Sequence, residues 1–476
     1  MKRSSEIEIL KTYISSQNEE KKKSFLLNYA KGIQNIDNKI IPFVLEILNQ
    51  DLLENLKNQC KNLLLKIYIN IHLNQTKETI YNLKEYNRFT EYKYFETNFK
   101  LAYLLFEDKK YDNSIYFLKK SIESSEIPNN WDRTRNLFEK LKPIIKKKFK
   151  NINIVFLNKY TSAYYKNCLE INCFVNELHS KIYSPAYGVL EQEIIDKNSN
   201  LYKGEPDYVL FALNWRDIFF DNNISDRDKC INKTFLKYND LFSLILKNTK
   251  ATIFFQLFDY PQYNSEGSLG YKKLNGKNRI IDMLNAKFLE IKDARINFVN
   301  PNIIKNNLTI KWFDSQLWFS FKHYPSFEAT FHLCKNYVKQ INAHQGKSKK
   351  LIILDLDNTI WGGVIGEDGI SGIALGSLNN VGLIFYEIQC YLKELHNRGI
   401  LLAICSKNNP EQVLEVFDNH PECPLKIDDF SAIKINWQSK SKNISEIKSE
   451  LNIGYDSMVF IDDSPFEREE VRRKFP

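Results

Sequence analysis

The sequence predicts an α/β protein: two successive parallel-sheet regions preceded by an all-helical N-terminal region. Three observations carry that expectation. Strand-like and helix-like segments alternate from Ile152 onward, the signature of parallel strands joined by crossover helices. The run Leu351 to Leu354 is apolar without alternation, as in a strand covered on both faces. Residues 1–150 instead show long amphipathic segments with few Gly or Pro and apolar positions at i, i+3, i+4, the periodicity of packed helices.

Within the helical region, Leu101 to Ser121 overlays Lys66 to Tyr86, with Ile115-Tyr116 and Leu118 matching Ile80-Tyr81 and Leu83. The spacing, with Ala102, Tyr111, Ser114 and Ile115, resembles tetratricopeptide-type helix pairs. A plain helical bundle is the alternative. Pro128-Asn129-Asn130 reads as the end of a helix, and the basic run Lys142 to Asn151 as a solvated connector. The next region, 151–343, offers strands at 152–157, 207–213, 252–258 and 296–301. The polar, basic segment 344–350 then leads into a third region, 348–476.

Composition bounds the function. With 476 residues and 43% hydrophobic content the chain can bury large cores, and no run approaches the roughly 20 apolar residues a spanning helix needs. The start, MKRSSEIEILKTY, turns acidic and helical, unlike a signal peptide. The eight cysteines (Cys60, Cys168, Cys173, Cys230, Cys334, Cys390, Cys405 and Cys423) form no C-x-x-C pair. That fits reduced thiols in a cytoplasmic protein and no structural zinc. A net charge of +9 is spread along the chain without a patch of interleaved aromatics, so neither a nucleic-acid nor a membrane partner is expected.

Chemistry concentrates in the third region. Asp355 and Asp357 follow the buried strand directly and, two apart in extended backbone, can face one site. Buried carboxylates at a strand end require a cation or a reaction. Gly399 to Asn409 reads as a strand ending in Ser406, with Lys407 and Asn408 opening a helix. Lys440 lies in WQSKSKNI, with Lys442 as a surface rival, and a last strand ends in Asp462-Asp463. Phosphoryl transfer needs a nucleophile, a proton donor for the leaving oxygen and positive charge on the equatorial oxygens. Asp355 can be the nucleophile and Asp357 the acid and then the base. Ser406 and the backbone N–H groups after it can hold phosphoryl oxygens, and Lys440 supplies a point charge. Mg²⁺ suits Asp355, the Asp357 carbonyl and the last acidic pair. Adjacent residues point different ways, so Asp463 is taken as the metal ligand and Asp462 as the residue orienting Lys440, the exchanged assignment remaining open.

These four motifs resemble the haloacid-dehalogenase (HAD) superfamily, and LDLDNTIWGGVIGEDG, LLAICSKNN and FIDDSPFEREEVRR resemble its FkbH-like branch. The resemblance matches Asp355 to the nucleophile, Asp357 to the acid/base, Ser406, Lys440 and Asp462-Asp463 to the later motifs, and Thr359 to the first motif's hydroxyl. Asn358, Thr359, Lys407 and Asn408 would line the substrate. WGGVIGEDG would be the superfamily's small flap, with no large cap. The branch implies transfer of a glyceryl group from 1,3-bisphosphoglycerate to the phosphopantetheine thiol of an acyl carrier protein, with dephosphorylation, in secondary-metabolite or surface-glycan synthesis. A phosphatase without acyl transfer and a helical scaffold with a vestigial site are the alternatives. A covalent relay would need a cysteine, and Cys405 stands beside Ser406; strand alternation turns it away.

The central region resembles the SGNH-hydrolase-like module found upstream in that branch. Asn158, Lys159 and Tyr160 stand where its Gly-Asp-Ser would be, and Asp314-Ser315-Gln316-Leu317 where Asp-x-x-His would be, so a non-hydrolytic platform is expected. Asn214 occupies the oxyanion-donor position or is an ordinary loop residue. The resemblance also implies a further strand and helix beyond Pro476.

Overall fold

The computed structural model describes residues 75–125, 128–220, 227–377 and 380–475, with isolated positions 63, 66–67 and 70–71. Cys60 and most of residues 1–74 lie outside the described residues, among them 68–69 and 72–74 of the first half of the proposed helical repeat. The chain divides into two compact units, Met1–Gln340 and Ile341–Pro476.

The first unit begins with helices α1 (Thr76–Phe89), α2 (Phe95–Glu107), α3 (Tyr111–Glu123) and α4 (Pro128–Lys148). Helix α2 buries Leu101, Ala102 and Leu105, and α3 buries Ser114, Ile115, Leu118 and Ile122, the i, i+4, i+8 stripe of a helix packed on one side. Ser114 donates a hydrogen bond to the Ala102 carbonyl at 2.7 Å, which its small side chain allows by close approach of the two helices. Pro128 starts α4 instead of ending a helix, as its fixed φ and missing N–H suit a first helical turn. The lysine run is not a connector. Residues through Lys148 are the last turns of α4, burying Leu141 and Ile145 while the lysines sit at the negative end of the helix dipole.

Strand β1 (Lys150–Asn158) follows almost at once, then α5 (Ala163–Val175), β2 (Leu178–Tyr183), β3 (Tyr208–Ala212), α6 (Arg227–Asn248), β4 (Thr252–Gln256), α7 (Lys277–Leu289), β5 (Ile296–Val299), α8 (Ser315–Phe321) and α9 (Phe327–His344). The sheet order is β2-β1-β3-β4-β5, parallel throughout, with Ile154 opposite Tyr208 and Ile253 opposite Ile296. Val155, Leu157, Phe211 and Phe255 pack on Phe242 and Ile245 of α6 and Leu284 and Phe288 of α7. Trp131 of α4 stacks on Phe331 of α9, centroids 3.3 Å apart, tying the helices into this unit.

The carboxyl end of this sheet holds no hydroxyl poised against a base at the positions that resemblance points to. Lys159 pairs with Glu191 at 2.9 Å, and Tyr160 is buried with its hydroxyl on the Ala212 carbonyl. Asp314 caps α8 by accepting the Leu317 N–H, and Asn214 caps a turn by accepting the Arg216 N–H, so it acts as a loop residue. His323, bonded to Thr330 at 3.1 Å, is pushed down to about 4 by burial. The unfolded chain takes up that proton near 6.5 and the folded chain only near 4, so this contribution to stability is full above the first value and lost as pH falls toward the second. Asp217, pushed up to about 6 by burial, acts in the opposite sense. We therefore expect the melting temperature of His323→Gln to fall less steeply than that of the unaltered chain across this window; equal slopes would refute it.

The second unit contains β6 (Leu351–Leu354), α10 (Asn380–Asn397), β7 (Leu401–Ser406), α11 (Pro410–Asn419), β8 (Phe430–Ile435), α12 (Lys440–Leu451), β9 (Met458–Ile461) and α13 (Pro465–Lys474). The parallel order is β8-β7-β6-β9. Ile352 and Leu354 join Leu402, Ile404, Val413 and Phe417 on one face; Leu351 and Ile353 join Ala403, Cys405, Ile444 and Ile447 on the other. Both faces of β6 are thus covered, and the ladder continues one residue further with the Asp355 N–H on the Ile461 carbonyl at 3.0 Å.

Candidate active site

Beyond the carboxyl ends of β6, β7 and β9, where open α/β sheets gather their chemistry, the sequence motifs converge. Asp355 leaves β6 buried. Lys440, the first residue of α12, is 3% exposed and puts its ammonium 2.8 Å from Asp355 Oδ1 and 2.5 Å from Asp462 Oδ2. A lysine so deeply buried is held there by these two carboxylates. Burial pulls the Lys440 ammonium down, but Asp355 and Asp462 outweigh it and hold it above its usual value. Burial pushes the Asp355 carboxyl up, against the opposing pull of Lys440.

Asp462 also accepts the Ser464 N–H at 2.9 Å, while Asp463 is exposed and its N–H donates to Thr359 Oγ1 at 3.2 Å. Carboxylate oxygens of Asp355, Asp462 and Asp463 lie within 4.8 Å of one another. Asp355 Oδ1 is buried 2.8 Å from the Lys440 ammonium and keeps acceptor capacity to spare. A buried oxygen with unused acceptor capacity, in an all-oxygen cluster, is the donor set a hard divalent cation takes.

Asp357 is partly buried. Its Oδ1 accepts the Trp361 indole N–H at 2.8 Å and the Ile365 N–H at 3.1 Å; its Oδ2 accepts the Asn408 amide at 3.0 Å. Asn408 also reaches Ser406 Oγ, 3.2 Å away, so β6 and β7 are joined through this pair. Asn358, at φ 52°, accepts the Gly363 N–H at 2.9 Å and shapes the turn into the flap. The flap closes on itself through Gly362 and Ala374, which exchange both backbone hydrogen bonds. Lys407 pairs with Glu467 at 2.6 Å. The four residues expected to line the substrate, Asn358, Thr359, Lys407 and Asn408, therefore all have protein partners.

Cys405 is fully buried in the core on the opposite face of β7 from the strand's Ile404. Burial pushes its thiol up to about 12, which leaves it an inert packing residue. Two functional neighbours escaped the sequence reading. Arg468 donates to the carbonyls of Asp462 and Asp463, 2.7 Å each, and fixes the acidic turn. Trp361, although inside the first motif, reads in sequence as an ordinary core aromatic; only geometry reveals its hydrogen bond to Asp357.

A parallel sheet whose strand ends bring Asp355, Asp357, Ser406, Lys440 and Asp462-Asp463 together, behind a small flap, defines the HAD class of phosphoryl-handling folds. No family model and no curated protein matches the chain. Among solved structures it is similar to the N-terminal part of the protein BF1531 from Bacteroides fragilis, which contains a phosphatase domain and was crystallised in complex with Mg: 31% identity over 71% of this chain and 92% of that one, TM-score 0.64. The chain belongs to the family of that protein, within the HAD superfamily. LpoA from Haemophilus influenzae aligns at 7% identity with a TM-score of 0.17, too low to bear on fold or function.

Proposed function

We propose that this protein is a Mg²⁺-dependent phosphoryl-transfer enzyme of FkbH type, acting on a phosphorylated three-carbon substrate, 1,3-bisphosphoglycerate, and passing its glyceryl group to an acyl carrier protein. The observation that carries the phosphoryl chemistry is the buried Asp355–Lys440–Asp462 cluster with Asp463 at its mouth. Asp355, Asp463 and the Asp357 carbonyl would hold Mg²⁺; that the similar BF1531 fragment was crystallised with Mg supports a Mg²⁺ requirement. The bound ion supplies charge neutralisation for the phosphoryl oxygens.

A carboxylate oxygen of Asp355 attacks phosphorus; the bond to the leaving oxygen breaks, and Asp357 gives that oxygen its proton. Water then attacks the aspartyl-phosphate, Asp357 takes the water's proton, and phosphate leaves Asp355 regenerated. Ser406 and Lys440 hold the phosphoryl oxygens through both steps. Glyceryl transfer rests on the motif wording shared with the FkbH-like branch: the carrier thiol attacks the acyl-phosphate carbonyl, the C–S bond forms as the C–O bond breaks, the C1 phosphate leaves, and the Asp355 steps remove the C3 phosphate ester. A phosphatase without transfer is favoured by one observation: the thiol nearest the site, Cys405, is turned into the core.

Intact-mass spectrometry separates the two. A phosphopantetheinylated carrier protein incubated with this chain, Mg²⁺ and 1,3-bisphosphoglycerate should gain a glyceryl-sized mass; phosphate release without that gain would leave the phosphatase reading.

A further inference from the structure

We propose that Trp361 is a positioning residue for the acid/base, holding Asp357 through its indole N–H so that Oδ2 alone is left to move the proton. The inference rests on the reading of Asp357 as acid/base. Trp361 is completely buried, edge-on to Phe417 with centroids 5.8 Å apart, and the residue before it is anchored by Gln389, whose amide donates to the Ile360 carbonyl at 2.9 Å. Gly362 after it leaves no room for a side chain, since a Cβ there would lie 2.8 Å from the Phe385 ring. The indole is thus fixed on both sides along the chain.

A buried indole N–H needs an acceptor, and a backbone carbonyl serves that purpose for Trp131, which donates to Ser125 at 2.9 Å. Trp361 instead donates to a carboxylate oxygen at 2.8 Å, beside the Ile365 N–H at 3.1 Å. Two donors on Oδ1 occupy its lone pairs and fix the carboxyl plane. Oδ2 then lies on the side of Ser406, because Asn408 spans from it to Ser406 Oγ. In the first half-reaction the Oδ2–H bond breaks as the phosphorus–oxygen bond of the leaving group breaks, and the proton passes to that oxygen. In the second, Oδ2 takes a proton from the attacking water. Freed from the indole, the carboxyl would rotate, and proton delivery would suffer while attack by Asp355 would not.

Leaving-group dependence tests this, because only poor leaving groups need the proton. Trp361→Phe keeps an aromatic ring in the core and deletes the N–H. We expect the single-turnover rate of enzyme phosphorylation, which precedes the water step, to fall about tenfold or more with an alkyl phosphate and less than about twofold with a nitrophenyl phosphate, as a fraction of the general-acid contribution. Asp357→Asn, measured in parallel, should show the same gradient more steeply. A uniform loss in Trp361→Phe alongside a graded loss in Asp357→Asn would overturn the positioning role and leave the acid reading intact. An ungraded loss in Asp357→Asn would overturn both. Should Trp361→Phe fail to fold, indole ¹⁵N labelling of the unaltered chain decides: the Trp361 N–H resonance should exchange more slowly than that of exposed Trp437 and shift upfield in Asp357→Ala, and an unmoved resonance would overturn the inference.

Discussion

Asp355→Asn is expected to lower phosphate release by roughly 10⁴-fold or more, the scale on which loss of a covalent nucleophile is felt. The substitution keeps shape and burial, so what it removes is the charge and nucleophilicity of one oxygen. It also removes one negative charge from the pair that holds the Lys440 ammonium, leaving Asp462 as its partner at 2.5 Å. The fold should therefore persist, and circular dichroism should show it. Single-turnover quench with a ³²P-labelled substrate would detect an acid-stable phosphorylated protein in the unaltered chain and none in the variant. Phosphate release that survives the substitution within tenfold would remove Asp355 from the nucleophile's place and with it the covalent mechanism.

Much of the second unit is readable because its central strands are covered on both faces. Leu351 to Leu354 and Leu401 to Ser406 carry almost no polar residue before their acid or hydroxyl, so strand, end and chemistry coincide in sequence. Two of the edge strands are another matter. β2 turns only Leu178 and Ile182 fully inward, and β8 alternates buried Phe430 and Ala432 with exposed Ser431 and Ile433; neither stands out from a loop by composition. The lysine-rich end of α4 conceals its helix for a related reason. Charge hid the i, i+4 pair Leu141 and Ile145 that packs the helix down.

The site follows the same division. Residues that act by lying at strand ends, Asp355, Ser406 and the Asp462-Asp463 pair, are legible from position alone. Residues that act through another side chain are not. Trp361 serves Asp357 from four residues away, across a turn that depends on Asn358 at positive φ, and Arg468 reaches back to two carbonyls from the first turn of α13. Cys405 shows how strand parity discriminates: one residue from Ser406, it belongs to the other face.

The Asp355–Lys440–Asp462 cluster makes a prediction in which stability and activity part. Lys440→Met removes the ammonium that lies between the buried carboxylates of Asp355 and Asp462, and breaking a buried ion pair from one side costs about 3–5 kcal/mol because the remaining charge is uncompensated. The variant should unfold at markedly lower denaturant when divalent cations are chelated. Added Mg²⁺ should restore part of the loss, since a cation bound by Asp355 and Asp463 would replace some of the missing positive charge. Pairing it with Asp462→Asn takes away the second orphaned charge, so the double variant should be more stable than Lys440→Met alone. Catalysis should follow neither trend. Without the ammonium the phosphoryl oxygens lose a fixed charge, a loss of roughly 10²–10³ in kcat for one such donor, and Asp462→Asn offers nothing in its place. A double variant that regained activity together with stability would mean that Lys440 serves only to neutralise the buried acids. One stable but inactive would assign it to the transferring phosphoryl group.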